Sequence, residues 1–151
     1  MAHRVLIGIL FSVVLAGCAT SSRHDADLSL YMPADEAQAV IGRANSFALE
    51  GGTNGGTSPY FEAFHALYAQ PDAPSRFLAL LQSESLPAQL FGLMGLRVVD
   101  PESFEANMEP YLLSRARVEF LNGTCSPDSV SVSEIAAGIA SGDKEWLLAT
   151  W

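Results

Sequence analysis

The sequence predicts an all-α fold, a small irregular helical bundle of about five or six helices. Three observations lead there. Apolar residues recur at i, i+3 and i+4 in segment after segment, as at Tyr60, Phe61, Phe64, Leu67 and Tyr68. Ser, Asp and Pro open these segments, and Gly or Pro closes them. One segment, Leu86 to Val99, is apolar nearly all round, and such a helix belongs at the centre of a core.

The first twenty residues stand apart from that pattern. "MAHR" is a short basic start. Val5 to Leu15 is a run of eleven uncharged residues, and Ser21, Ser22, Arg23, His24 and Asp25 close it off. Secretory signals share this layout: a basic n-region, an apolar h-region, then small residues at the cut. A spanning helix needs about 20 apolar residues, so the run is too short to cross a bilayer. Leu15-Ala16-Gly17-Cys18, directly after it, resembles the lipobox of bacterial lipoproteins. That resemblance implies a diacylglycerol on the Cys18 thiol, removal of residues 1–17 as a signal peptide, and acylation of the new amine by a palmitate-like chain. A thiolate is the side-chain nucleophile best suited to forming the thioether. Each buried CH₂ contributes about 0.8 kcal/mol, so two or three chains anchor stably where one is marginal. Ala19 after the cysteine resembles the pattern of outer-membrane lipoproteins, which implies a place in the cell envelope facing the periplasm.

Residues 18–30 form a lipidated tether in this reading, since "ATSSRHDADLSL" is small and polar. A flexible segment of this length spans roughly 20 Å root-mean-square. Residues 31–151 suit a single helical domain with its own core.

Within that domain, "MPADEAQAVIGRANSFALEGG" predicts a first helix. Pro33 stands near its start, Asp35 and Glu36 in its first turn and Gly51 at its end. Val40, Ile41, Ala44, Phe47 and Ala48 share one face at helical spacing. "GGTNGGT", residues 51–57, lacks the Gly-Lys-Ser/Thr ending of a phosphate loop and reads as a linker. The next helix starts with Ser58 as cap and Pro59 in the first turn, and Pro71 stops it. Its aromatic stripe reads as core.

"APSRFLALLQSE" and "SLPAQLFGLMGLRVVD" predict two antiparallel helices with a tight joint at Ser83–Ser85. Gly92 and Gly95 each cost up to about 1 kcal/mol of helix propensity. Close approach by a neighbouring helix is the compensation. Asp100 caps the following helix, which Pro110 breaks near Asn107. Arg115 and Glu119 stand at i, i+4, a surface pair if that helix continues; Val118-Glu119-Phe120 reads either as its end or as a short strand. "NGTC" at 122–125 is a turn. Ser131 and Glu134 form a capping box, with Ile135, Ala136 and Ile139 on the buried side and Gly142 at the end. "KEWLLATW" is a terminal amphipathic piece. The stretch from Phe77 to Leu112 resembles one HEAT-type helical hairpin unit, a likeness of rhythm over about 35 residues.

Charge narrows the partners. The chain carries a formal net charge of −9, and residues after 17 hold all the acids and all but one of the basic residues. Such a domain repels phosphate backbones, which argues against nucleic acid as a partner. It also repels anionic head groups, so membrane attachment rests on the Cys18 lipid. With Cys18 lipidated, Cys125 has no intrachain disulfide partner. It is either a small buried residue or a reactive thiol.

Catalytic constellations are sparse, and the sequence singles out no catalytic residue, cofactor or metal site. His65 is the one histidine in the domain. Glu62 and His65 form a Glu-x-x-His pair, but di-iron sites need a second such pair and more carboxylates. No Gly-x-Ser-x-Gly elbow is present. Asn122 opens an Asn-Gly-Thr acceptor pattern, which the bacterial lipobox argues against using. The expected role is a lipid-anchored binding or structural module whose partner is an envelope protein or a toxin. Two alternatives stay open: a periplasmic enzyme using carboxylates and His65, and a carrier that holds an apolar ligand against helix 58–70.

Overall fold

A computed structural model describes residues 32–48, 58–121 and 128–142. In chain order these form α1 (Ala34–Gly42), β1 (Ser46–Ala48), α2 (Pro59–Tyr68), α3 (Ala73–Leu80), α4 (Leu86–Val99), α5 (Pro101–Asn107), α6 (Glu109–Leu112), β2 (Arg117–Leu121), β3 (Asp128–Ser131) and α7 (Val132–Ser141). No helix among the described residues is long and apolar enough to cross a membrane.

Helices dominate, as expected, with seven among the described residues rather than five or six, but the fold is not purely α. A mixed sheet of order β1-β2-β3 sits against the bundle, with β1 parallel to β2 and β2 antiparallel to β3. The expected first helix therefore divides. It stops at Gly42, and Phe47 is buried from a strand that pairs with Phe120. Ala44, Phe47 and Ala48 are all buried, so the burial expected of them is correct although the element is not. Val118-Glu119-Phe120 resolves as strand, with alternating burial along "RVEFL". Glu119 thus lies on β2, and the helical pairing expected between Arg115 and Glu119 does not form. α5 and the single turn of α6 part at Met108, two residues before Pro110, whose ring and missing N–H keep one helix from running through.

α4 is the axis of the core. Nine of its fourteen residues are buried, including Leu90, Phe91, Leu93, Met94 and Leu96. Phe91 is the hub of an aromatic cluster: its ring centroid lies 4.7 Å from Phe47, 6.2 Å from Tyr60 and 6.3 Å from Phe64. Phe64 in turn meets Phe77 at 5.2 Å. Tilted pairs at these distances suit the ring quadrupole and add to the area they bury. The α2 stripe thus enters the core through Phe64 and Leu67, while Tyr60 reaches outward and donates its hydroxyl to Asn45 Oδ1 at 2.9 Å.

The two α4 glycines face α3. A Cβ on Gly92 would lie 2.8 Å from the backbone carbonyl oxygen of Phe77, and one on Gly95 would enter the Phe77 ring. The propensity lost at both positions is exchanged for helix–helix contact.

Hydrogen bonds fix the ends of these elements. Ser58, Ser85, Asp100 and Ser131 each accept from a backbone N–H of the first turn they precede. α7 ends on Gly142 in the left-handed conformation. Arg76 of α3 donates to Asp72 Oδ2 at 2.9 Å and to Asp35 Oδ1 at 2.8 Å, joining α3 to α1. Arg97 donates to the Ile139 carbonyl at 3.3 Å and lies 5.5 Å from the Phe104 ring centroid, so one side chain ties α4, α5 and α7.

Candidate functional site

The α3–α4 turn and the α5–α6 break lie on either side of a surface cavity of about 250 Å³. The first wall is Leu81 and Gln82 from the turn, with Leu86 and Gln89 from the first turns of α4. The second is Asn107, Pro110, Tyr111 and Ser114, from the break in α5–α6 and the segment after it. None of these eight side chains is charged, although the chain is strongly acidic overall.

Local chemistry explains how the walls are held. Ser83 Oγ donates to the Gly42 carbonyl at 3.1 Å and accepts the Ser85 N–H at 3.1 Å. Ser85 Oγ donates to the Ala44 carbonyl and accepts the Ala88 N–H at 3.2 Å. The tight joint expected at Ser83–Ser85 is thus also bolted to the chain at the end of α1. Gln89 Nε2 donates back to the Ser83 carbonyl at 2.6 Å, which fixes its carboxamide at the cavity edge. On the facing wall, Asn107 Nδ2 donates to the Ser103 carbonyl at 2.7 Å. Each carboxamide keeps an acceptor oxygen and a second N–H beyond that bond. Partial burial raises the pKa of the Tyr111 phenol above its usual value, further from the physiological range in which any tyrosine is a neutral donor and acceptor.

His65 lies elsewhere, in the last turn of α2 and outside this cavity. Its ring meets the Phe61 ring edge-on at 4.4 Å and the Phe64 ring at 6.0 Å. Glu62 is partly buried one turn before it. Among the described residues no three His, Cys, Asp or Glu side chains are gathered for a metal ion. Leu15, Ala16, Gly17 and Cys18 lie outside the described residues, as do the 51–57 linker, Asn122, Cys125 and the terminal Trp-containing piece.

The sequence reading missed the cavity residues. Gln82, Gln89, Asn107 and Ser114 match no motif, and their two walls are about twenty residues apart in the chain. The one available signal was Pro110, since a helix broken in mid-course leaves a notch that a continuous helix would fill. The chain matches no family model, no curated protein sequence and no solved structure.

Proposed function

We propose that this chain is a bacterial lipoprotein, held to the envelope by lipid on Cys18, whose helical domain is a binding or structural module in the periplasm. The observation that carries the reading is Leu15-Ala16-Gly17-Cys18 set directly after an eleven-residue uncharged run and before a small polar segment. The fixed, uncharged cavity on the α3–α4 joint supports a binding role for the domain. The net charge of −9 supports attachment through lipid rather than through a basic face.

Expression in a bacterial host with radiolabelled palmitate tests the anchor. The wild-type chain is expected to incorporate label and to enter the detergent-rich phase of a phase-separating detergent. Cys18→Ser is expected to lose the label and move to the aqueous phase. Equal partitioning of the two proteins would overturn the reading.

A further inference from the structure

We infer that the cavity between the α3–α4 joint and the α5–α6 break is a binding site for one ring of a neutral glycan, an N-acetylhexosamine in class. This deepens the binding-module reading and rests on it for its setting in the envelope. Three features of the walls carry it. First, the lining is uncharged in a chain of net charge −9, so the site neither repels a neutral ligand nor offers a partner to an ionic one. Secondly, its polar groups are carboxamides and hydroxyls, on Gln82, Gln89, Asn107, Tyr111 and Ser114. Each can both donate and accept, which is what ring hydroxyls and an acetamido group demand, since those too do both. Thirdly, Leu81, Leu86, Pro110 and the Tyr111 ring supply apolar surface among those polar groups, and a pyranose has an apolar C–H face beside its hydroxyl rim.

Size and order agree with the assignment. About 250 Å³ holds a single sugar ring and falls below the range of drug-sized sites. The bonds from Gln89 to the Ser83 carbonyl and from Asn107 to the Ser103 carbonyl orient both carboxamides before any ligand arrives. That lowers the entropic cost of binding. The phenol of Tyr111 is neutral at physiological pH, as any tyrosine is, and partial burial moves its pKa further up.

The test is a titration of the isotope-labelled full chain in detergent micelles, followed by amide chemical shifts. The probes are N-acetylglucosamine, glucuronate and an acetyl-capped dipeptide amide. N-acetylglucosamine is expected to shift the amides around Gln82, Gln89 and Tyr111, with half-saturation on the order of 1 mM. Glucuronate and the dipeptide are expected to leave them in place at the same concentrations. Tyr111→Phe, which keeps the ring, is expected to weaken sugar binding roughly fivefold, the effect of one lost hydrogen bond. Gln82→Ala, an exposed change, tests the other wall with the same expectation and without disturbing the fold. Sugar-induced shifts that are absent or map to another face would overturn the inference, as would unchanged affinity in both variants. Dipeptide binding as strong as the sugar's would overturn it in favour of a peptide site. None of these outcomes depends on Cys18, so the anchor stands or falls separately.

Discussion

Along the middle of α4, Gly92 and Gly95 bring the helix backbone against Phe77, and Phe91 reaches into a cluster of rings on the other elements. At its ends the same helix is held by hydrogen bonds: Ser85 caps its start and reaches across to Ala44, while Asp100 follows its last turn and caps α5. The middle depends on shape, so nearly any added atom disturbs it. The ends depend on a few polar atoms, and there the surface can open into a cavity without weakening the core. The candidate site lies on such an end because polar side chains there are already fixed by structural bonds.

The largest expected effect comes from Gly95→Ala. Its methyl would occupy the place of the Phe77 ring, which is fully buried and has little room to move. Overpacking of this kind costs about 1–3 kcal/mol, and the regained helix propensity offsets part of it. A net loss of about 2 kcal/mol in urea unfolding is expected. Phe77→Leu in the same chain is expected to recover part of that loss, so the double-mutant cycle has a favourable coupling term. Additive losses would mean that the middle of α4 is not limited by shape, and the contrast with its ends would fail.

Ser85→Ala comes next. It removes the cap of α4 and leaves the Ala44 carbonyl without its Ser85 donor. A loss of about 1–2 kcal/mol is expected. Ser85→Thr keeps the hydroxyl and is expected to recover most of it. If Ala and Thr were equally destabilised, sterics rather than hydrogen bonding would govern this end as well.

The same division decides what is legible in the sequence. Starts of helices were legible because capping is local: Ser58-Pro59, Asp100 and Ser131 with Glu134 carry their message within four residues. The centrality of α4 and the close approach at its glycines were legible from unbroken apolarity. The sheet was not. β1 has only three residues, and its Phe47 continues the helical spacing of Ile41 and Ala44, so nothing local marks the change. Its partner β2 is some seventy residues away, and that pairing alone makes β1 a strand. Val118-Glu119-Phe120 was the better clue, and it left strand as one of two readings. The cavity was illegible for a similar reason, since its chemistry exists only where two distant walls meet.

The smallest expected effect concerns the far end of α4 and is read from its dependence on pH. The Asp100 carboxylate is held below the usual carboxylate range. The hydrogen bond from Ser103 Oγ is the main cause, with the Ser103 backbone N–H next. A carboxylate whose pKa is lowered by folding stabilises the fold above its unfolded value, near about 4. That contribution fades as pH falls through the lower folded value. Asp100→Asn keeps an acceptor for the Ser103 N–H and removes the charge. At pH 7 the wild type is therefore expected to have the higher urea midpoint. The gap should narrow as pH drops below about 4, where the wild-type side chain takes up its proton and both caps are neutral. Comparing the two chains at each pH subtracts the other acids, which titrate in both. A gap that stayed constant down to pH 2 would show that the charge plays no part in this cap. Both ends of α4 would then rest on neutral hydrogen bonds, and the contrast between them and the sterically packed middle would lose its electrostatic component.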